Sequence, residues 1–292
     1  MVRAMVAASG DLGTTSASRD TWNPSQYAQF SAQRSQPFWD LVGLLEAPGG
    51  GGFGRCVDLG CGSGELTLAV TDRLGIHEMV GIDTSDAMLA RARDLVGPAD
   101  DRLRFARGDV AQWTGRGDHD LVLANASLQW VPNHAEVLAR WWEALAPGGQ
   151  LAVQVPFNAD HPAHVVAAQV AATEPFVSAM NGMPPVDPVA ANVLDPAEYA
   201  TVLDQLGAVA QHVRMQVYPH HLASSASVVE WVKGTTLTRF AKVLPDELYA
   251  RFLDAYRERL LDTIGDSEPY FYPFKRILMW ARRDPNGATR HR

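Results

Sequence analysis

The stretch VDLGCGSGE, residues 57–65, limits the fold of this chain more than any other segment. A short apolar run ends in three glycines, Gly60, Gly62 and Gly64, at every second position. Glycine loses more backbone entropy on folding than any other residue, so such a cluster marks a sharp bend or a close approach to the backbone. A strand (RCVDL), a glycine turn and a helical stretch over 64–74 make a first βα unit. The pattern then repeats. MVGID reads as a strand and 85–95 as a helix; LRFARGD and DLVLANA are strands, 134–145 is a helix, Pro147–Gly148–Gly149 a turn and QLAVQVP another strand. This alternation predicts a doubly wound α/β fold with a mostly parallel sheet covered on both faces. The runs VGI and LVLA have the unbroken apolar character of buried parallel strands, and right-handed crossovers are expected throughout.

Beyond Pro156 the pattern loosens. Residues 160–180 read as helical, 181–190 as a loop, and Asp195–Pro196 opens a helix that stops at Gly207. HVRMQVY (212–218) and FKRILMWARR (274–283) are strands, separated by a helical stretch over 225–263 that breaks near Pro245. The sheet thus has seven strands, with a helical lid inserted before the last. Upstream, 25–46 has helical spacing interrupted by Pro37 and is ended by Pro48 and the glycines 49–52. The expected organisation is a mobile tail over 1–21, a domain over 22–283 and a C-terminal tail over 284–292. Within the domain, 22–46 is a helical cap, 55–156 the half that binds a ligand, and 225–263 the lid.

A formal net charge of −8 over 292 residues argues against nucleic acid, whose phosphates need a basic face. No apolar run approaches a membrane span, and MVRAMVAAS is too short and weakly apolar for a secretory signal. Cys56 and Cys61 form no metal-binding pattern and read as packing residues, so a reducing, cytoplasmic setting is expected. His161 and His164 lack a third ligand and are expected to face solvent, with no metal site.

Three ligands compete for the glycine loop. A phosphate loop needs G-x-x-x-x-G-K-[ST], but Glu65 follows Gly64. A dinucleotide loop needs G-x-G-x-x-G, and the Asp58 carboxylate would repel a pyrophosphate. A nucleoside that carries a positive group and no phosphate turns Asp58 into an asset. S-adenosylmethionine fits, with its adenosine, amino-acid tail and sulfonium. Asp83, 21 residues after Gly62, has the spacing of a ribose-binding acid; the competing role is a helix cap or a neighbour of one at Thr84 or Ser85. Asp109 and Val110, at the third strand's end, suit the adenine edge, or else Asp109 is a turn residue. Asn125, Ala126 and Ser127 end the fourth strand and face the methyl end of the donor, with Gln129 and Trp130 just beyond.

The motifs DLGCGSG, GID, GD, ANASLQW and PGGQLAVQVP resemble the class I S-adenosylmethionine-dependent methyltransferases. WNPSQYAQFSAQRSQPFWDLV, ANASLQWVPNH, EWVKGTTL and YPFKRILMWARR are similar to the trans-aconitate methyltransferase family, and carry the resemblance over most of 22–283. The glycine run 49–54, the segment 160–200 and the first 20 residues fall outside it. The resemblance implies a class I fold and methyl transfer from S-adenosylmethionine, leaving S-adenosylhomocysteine, to a carboxylate of a small polycarboxylate such as trans-aconitate. It adds Thr84 and Met88 to the donor set.

A carboxylate is ionised at neutral pH, so no general base is expected and none stands out. Alignment and water exclusion are left to do the work. NASL follows the fourth strand where base-amine methyltransferases have N-P-P-aromatic. An acidic protein that takes a polycarboxylate needs fixed cations, preferably arginine. The substrate candidates are Arg34, Lys233 and Arg276, with His220 as a further donor and Trp22 and Trp130 as walls. Arg239, Lys275, His221 and Tyr27 are second-rank candidates, and Arg34 has an alternative role at the donor's carboxylate. Methyl transfer to another small or carrier-bound carboxylate, a non-catalytic donor-binding module and, remotely, an oxidoreductase stay open. Oligomeric state is not legible.

Overall fold

The computed structural model describes residues 31–48, 52–97 and 100–287, with side chains from Ser35 onward. The expected tail 1–21, the first part of the cap, Trp22, Tyr27 and the last five residues lie outside these.

Seven strands form one sheet in the order β3-β2-β1-β4-β5-β7-β6. They are β1 Arg55–Leu59, β2 Glu78–Asp83, β3 Leu103–Arg107, β4 His119–Asn125, β5 Leu145–Pro156, β6 Ala210–Leu222 and β7 Tyr270–Arg282. Strand β1 lies inside the sheet, with Val57 opposite Val80 of β2 on one side and Val122 of β4 on the other, both parallel. The order reverses between β1 and β4, and ligands of open α/β sheets bind at the carboxyl ends of strands at such a switch point. Only β7 runs against its neighbours, β5 and β6. The doubly wound, mostly parallel sheet expected from the sequence is the fold observed.

Alternate residues of the central strands feed two cores. One face packs Val57, Leu59, Val122, Ala124 and Val153 against Trp141 of α4 (His134–Glu143) and Leu203 of α8 (Pro196–Gln205). The other packs Cys56, Leu121, Leu123, Ala152 and Leu278 against Phe38 and Leu41 of α1 (Ser31–Val42), Val70 of α2 (Glu65–Leu74) and Leu89 of α3 (Asp86–Leu95). A third cluster lies beyond the ends of β6 and β7. There Tyr218, Tyr272 and Phe274 meet α5 (Pro162–Ala171), α6 (Phe176–Ala179), α9 (Ser227–Lys233), α10 (Thr238–Ala241) and α11 (Asp246–Ile264). No helix among the described residues is long and apolar enough to cross a membrane.

Some expectations need correction. Residues 147–149 do not end a helix–strand connection but lie within β5 as a bulge. His119 faces Leu145 while Leu121 faces Gln150, and Gly148 takes the left-handed φ of 80° that the extra residues require. The expected loop at 181–190 runs into a short helix, α7 (Pro188–Asn192), capped by Asp187. Both late strands are longer than their apolar runs, because β6 and β7 satisfy each other's backbone from Ala210↔Arg282 to Leu222↔Tyr270 whatever their side chains. His161 and His164 do not face solvent. His161 caps α5 and accepts from the Ala163 amide, and His164 lies one turn in with both ring nitrogens bonded. Hydrogen-bonded burial replaces hydration for both.

Candidate active site

The three glycines have three different structural reasons. A Cβ on Gly60 would lie 2.2 Å from that of Ser127, so the loop after β1 and the loop after β4 touch here. A Cβ on Gly64 would meet Phe105 and Ala92 at 2.7 and 2.8 Å, which lets α2 start against β3 and α3. Gly62 has a φ of +56° and nothing within 4 Å of its Cβ position. It is the one of the three that faces open space, as a backbone that a ligand approaches should.

Asp83 ties this loop to the next. One carboxylate oxygen accepts from the Gly62 amide and the other from Ser85, both at 2.9 Å. Ser85, not Asp83, caps α3 by accepting from the Met88 amide. Each Asp83 oxygen keeps a second lone pair at the edge of the crevice, the arrangement a diol donor needs. Asp58 is enclosed rather than presented. It is 3% exposed and accepts from the Thr67 hydroxyl at 2.6 Å. Burial raises its pKa to about 6, opposed by the Thr67 bond and reinforced by the charge of Asp83. Thr84 and Asp109 are exposed, and Val110 is buried. Asp109 accepts from Ala111 in a turn, and the Val110 carbonyl accepts from the Trp141 indole.

After β4 the chain turns through Ala126 at a φ of 54°, a conformation uncommon for alanine. It is held by Ala126 N donating to the Gln154 carbonyl, by the Ser127 hydroxyl donating to Leu59, and by Gln129 Nε2 donating back to Ala126. Within this braced turn two buried oxygens, Asn125 Oδ1 and Gln129 Oε1, have no partner among the described residues. Buried polar groups are nearly always bonded, so these atoms are available to a ligand. Open space at Gly62, spare acceptors on Asp83 and an unpartnered Asn125 oxygen together fit a ligand with hydroxyl and ammonium donors.

The neighbouring strands supply the other half. Arg276 is buried on β7, its guanidinium 4.1 Å from the centre of the Phe274 ring. His220 of β6 flanks the same ring, and its Nε2 is buried without a partner. Burial and the nearby Arg276 charge lower the His220 pKa, so the imidazole is neutral at pH 7. Other candidates are placed elsewhere. Lys275 points from the opposite face of β7 and is engaged by both oxygens of Asp160. Lys233 ends α9, 3.8 Å from Glu230. Trp130 is 45% exposed. The backbone of Arg34 lies in the first turn of α1; its side chain is outside the described residues.

Two groups escaped the sequence reading. Gln154, 1% exposed on β5, has an Nε2 without a partner among the described residues; its signal was a polar residue inside the apolar run LAVQVP. The second is a buried network at the base of the inserted helices. His164 Nδ1 and Arg239 Nη1 lie 2.7 and 3.1 Å from Asp187 Oδ2, and Asn158 Nδ2 contacts both His164 and Tyr272. Burial alone would raise the Asp187 pKa, but His164 and Arg239 overcome it and hold it at about 2. Among the described residues no group of three potential ligands is arranged for a metal ion.

Residues 56–149 match the profile of a methyltransferase domain family. A trans-aconitate 2-methyltransferase of Deinococcus radiodurans is 42% identical over 90% of this chain and 98% of its own length. Another from Methylobacterium radiotolerans is 41% identical over 80% of this chain and 87% of its own. The chain belongs to the trans-aconitate 2-methyltransferase family. The solved structure of a putative methyltransferase from Bacillus halodurans superposes with a TM-score of 0.52 at 15% identity, over 84% of this chain and 98% of that one, a likeness of fold. The family's enzymes are S-adenosylmethionine-dependent methyltransferases, so donor and reaction class agree with the glycine-loop reading. Within the matched domain lie the glycine loop, Asp83 and the braced turn; Gln154, His220 and Arg276 lie in the family-specific half beyond it.

Proposed function

We propose that this chain esterifies a carboxylate of trans-aconitate or a closely related small polycarboxylate. The observation that carries the reading is the pairing, along the carboxyl edge of one sheet, of a cation-tolerant donor crevice with a buried arginine. Asp83 and the Gly62 backbone would hold the ribose and amino-acid parts of S-adenosylmethionine, with Asp58 beneath the loop and Asn125 toward the ammonium. Thr84 and Met88 flank that ribose contact, and Asp109 with Val110 takes the adenine. The bound donor supplies an activated methyl on a sulfonium. The protein's part is to orient and to exclude water. Arg276 fixes a substrate carboxylate with a charge that does not titrate, stacked on Phe274 so that its plane is set. Neutral His220 adds a hydrogen bond without a second buried cation. No proton is moved, in keeping with a nucleophile ionised near pH 4.

Residues 22–34 and 225–263 are proposed to close over both ligands, with Arg34, Lys233 and Trp22 contributing from that cover and Trp130 from the turn after β4. A domain over 22–283 with tails 1–21 and 284–292 is part of the same proposal. Free thiols at Cys56 and Cys61 and a net charge of −8 support a cytoplasmic protein without nucleic-acid or membrane partners. The test is a panel of mono-, di- and tricarboxylates incubated with methyl-labelled donor. The expected result is a base-labile methyl ester from trans-aconitate. Donor binding by calorimetry with no ester from any carboxylate overturns it in favour of a binding module. Removal of residues 1–34 is expected to weaken donor binding and turnover; unchanged values would discard the cover.

A further inference from the structure

Strand β5 carries two glutamines four residues apart on one face. Both polar atoms of Gln150 are bonded: Oε1 accepts from the Glu46 amide at 2.9 Å and the Trp280 indole at 2.7 Å, and Nε2 donates to the Glu46 carbonyl at 2.8 Å. Gln154 is as deeply buried, yet its Nε2 has no partner among the described residues. The register puts Gln154 beside Asn125 of β4, whose buried Oδ1 also lacks a partner, and beside Leu278 of β7. Arg276 lies two rungs farther on, opposite Pro156. All four side chains share a face, because residues an even number apart do. At strand spacings, Gln154 and Arg276 stand about 8 Å apart between Cα atoms, within the reach of two carboxylates of one six-carbon acid.

We infer that the Gln154 amide is the donor that holds the reacting carboxylate, and so selects which carboxylate is methylated. The inference rests on the carboxyl-methylation reading above. In the reaction a lone pair of the carboxylate oxygen forms the new C–O bond. The methyl–sulfur bond breaks with its electron pair going to sulfur, and an anion and a sulfonium become a neutral ester and a neutral thioether. The carboxylate therefore loses its charge on the way to the transition state. A cation bound to it would stabilise the ground state more and slow the step. A neutral amide orients the oxygen with a weaker hold on its charge. The charged Arg276 then belongs on a carboxylate that does not react. Asn125, one strand over, offers an acceptor to the donor's ammonium, so one rung of the sheet receives both molecules.

The test uses the full chain with Gln154→Leu and Gln154→Glu. Four quantities are read: the ratio of monoester isomers by NMR, kcat and KM for trans-aconitate, the Kd for S-adenosylhomocysteine, and the melting temperature. Wild type should give one isomer. Gln154→Leu should lose roughly tenfold in kcat/KM, as expected for one hydrogen bond, and yield mixed isomers. Its S-adenosylhomocysteine Kd should stay within about twofold, and its melting temperature should not fall, since no protein group loses a partner. Gln154→Glu should lose roughly a hundredfold or more through like-charge repulsion. An unchanged isomer ratio and kcat/KM in Gln154→Leu overturns the inference while leaving the function intact. Equal losses in S-adenosylhomocysteine affinity and turnover also overturn it, placing Gln154 with the donor. A wild type that binds S-adenosylhomocysteine but esterifies no polycarboxylate removes the function itself and the inference with it.

Discussion

The two edges of the sheet treat buried polar groups differently. At the amino edge, Asp120 accepts from the amides of Gly54 and Arg55, Gln150 clasps Glu46 and Trp280, and Arg283 donates to the carbonyls of Trp142 and Leu145. These bonds tie loops to strands and leave the glutamine nothing to offer. At the carboxyl edge, among the described residues, Asn125, Gln129, Gln154 and His220 each keep a buried atom unpartnered, and Gly62 faces open space. An unmade buried hydrogen bond costs about 1–3 kcal/mol, so the carboxyl edge is less stable than it needs to be for folding alone. A ligand that completes those bonds recovers that cost as affinity.

The largest expected effect lies at Arg239, which also has Nε and Nη2 atoms unpartnered among the described residues, against Phe240 of the helical cluster beyond β6 and β7. If an unpartnered atom alone marked a ligand site, Arg239 would qualify. Its Nη1 is committed to Asp187, however, and the pair braces α5, α7 and α10. Asp187→Asn is expected to cost roughly 3–5 kcal/mol in denaturant unfolding by stranding a buried cation, with the donor Kd of the remaining folded protein unchanged. The wild-type contribution is present above pH 4 and lost as pH falls through about 2, because the folded pKa lies below the unfolded one. A change in donor Kd without a stability loss would mean that the network is a ligand site.

Next comes Gly60→Ala, expected to cost roughly 2–4 kcal/mol from the Ser127 overlap plus left-handed strain, whereas Gly62→Ala should cost only about 1 kcal/mol yet weaken the donor more than tenfold. Equal stability losses would show that the loop geometry is not what separates them. Gln150→Leu should then cost about 2 kcal/mol at unchanged kcat/KM, the reverse of the result at Gln154, and urea melts with initial rates decide between them.

The sequence exposed the donor half because the physics there is local. Glycine spacing, an apolar strand and Asp83 after the next strand lie within a window of 30 residues, and each has a short-range reason. The second half was legible only in outline. Nothing in PAHVV says that His164 points inward, since its partners Asp187 and Thr236 come from distant segments. Arg239 is likewise one arginine among many until Asp187 is found beside it. Gln154 and Gln150 are identical as letters in one apolar strand, and only the tertiary packing of Glu46 and Trp280 makes one a brace and leaves the other open. The bulge at 146–149 was hidden for a related reason: Pro–Gly–Gly is the composition of a turn, and the sheet uses it without leaving the strand.

The smallest expected effect concerns Asp58, a buried carboxylate bonded to Thr67 beneath the glycine loop. Its folded pKa, about 6, lies above the ordinary value near 4. Between those two pH values the folded protein therefore holds the proton more tightly than the unfolded chain, and stability declines as pH rises through the window. Asp58→Asn keeps an acceptor for the Thr67 hydroxyl and removes the titration. The variant should have a flatter stability profile between pH 4 and 6 and gain on the order of 1 kcal/mol at pH 7, the buried amide retaining part of the desolvation cost. Under the proposed function, the same change removes a negative charge from beneath the loop that would hold the sulfonium. Preference for S-adenosylmethionine over the uncharged S-adenosylhomocysteine should then fall by roughly fivefold to tenfold, the scale of two charges several ångströms apart in a medium of intermediate dielectric. Both ligands titrated into both proteins at pH 7.5 give the ratio directly. If it is the same in variant and wild type, Asp58 serves the loop's architecture through Thr67 and contributes nothing to recognition of the cation, and Asp83 with the Gly62 backbone must account for donor binding.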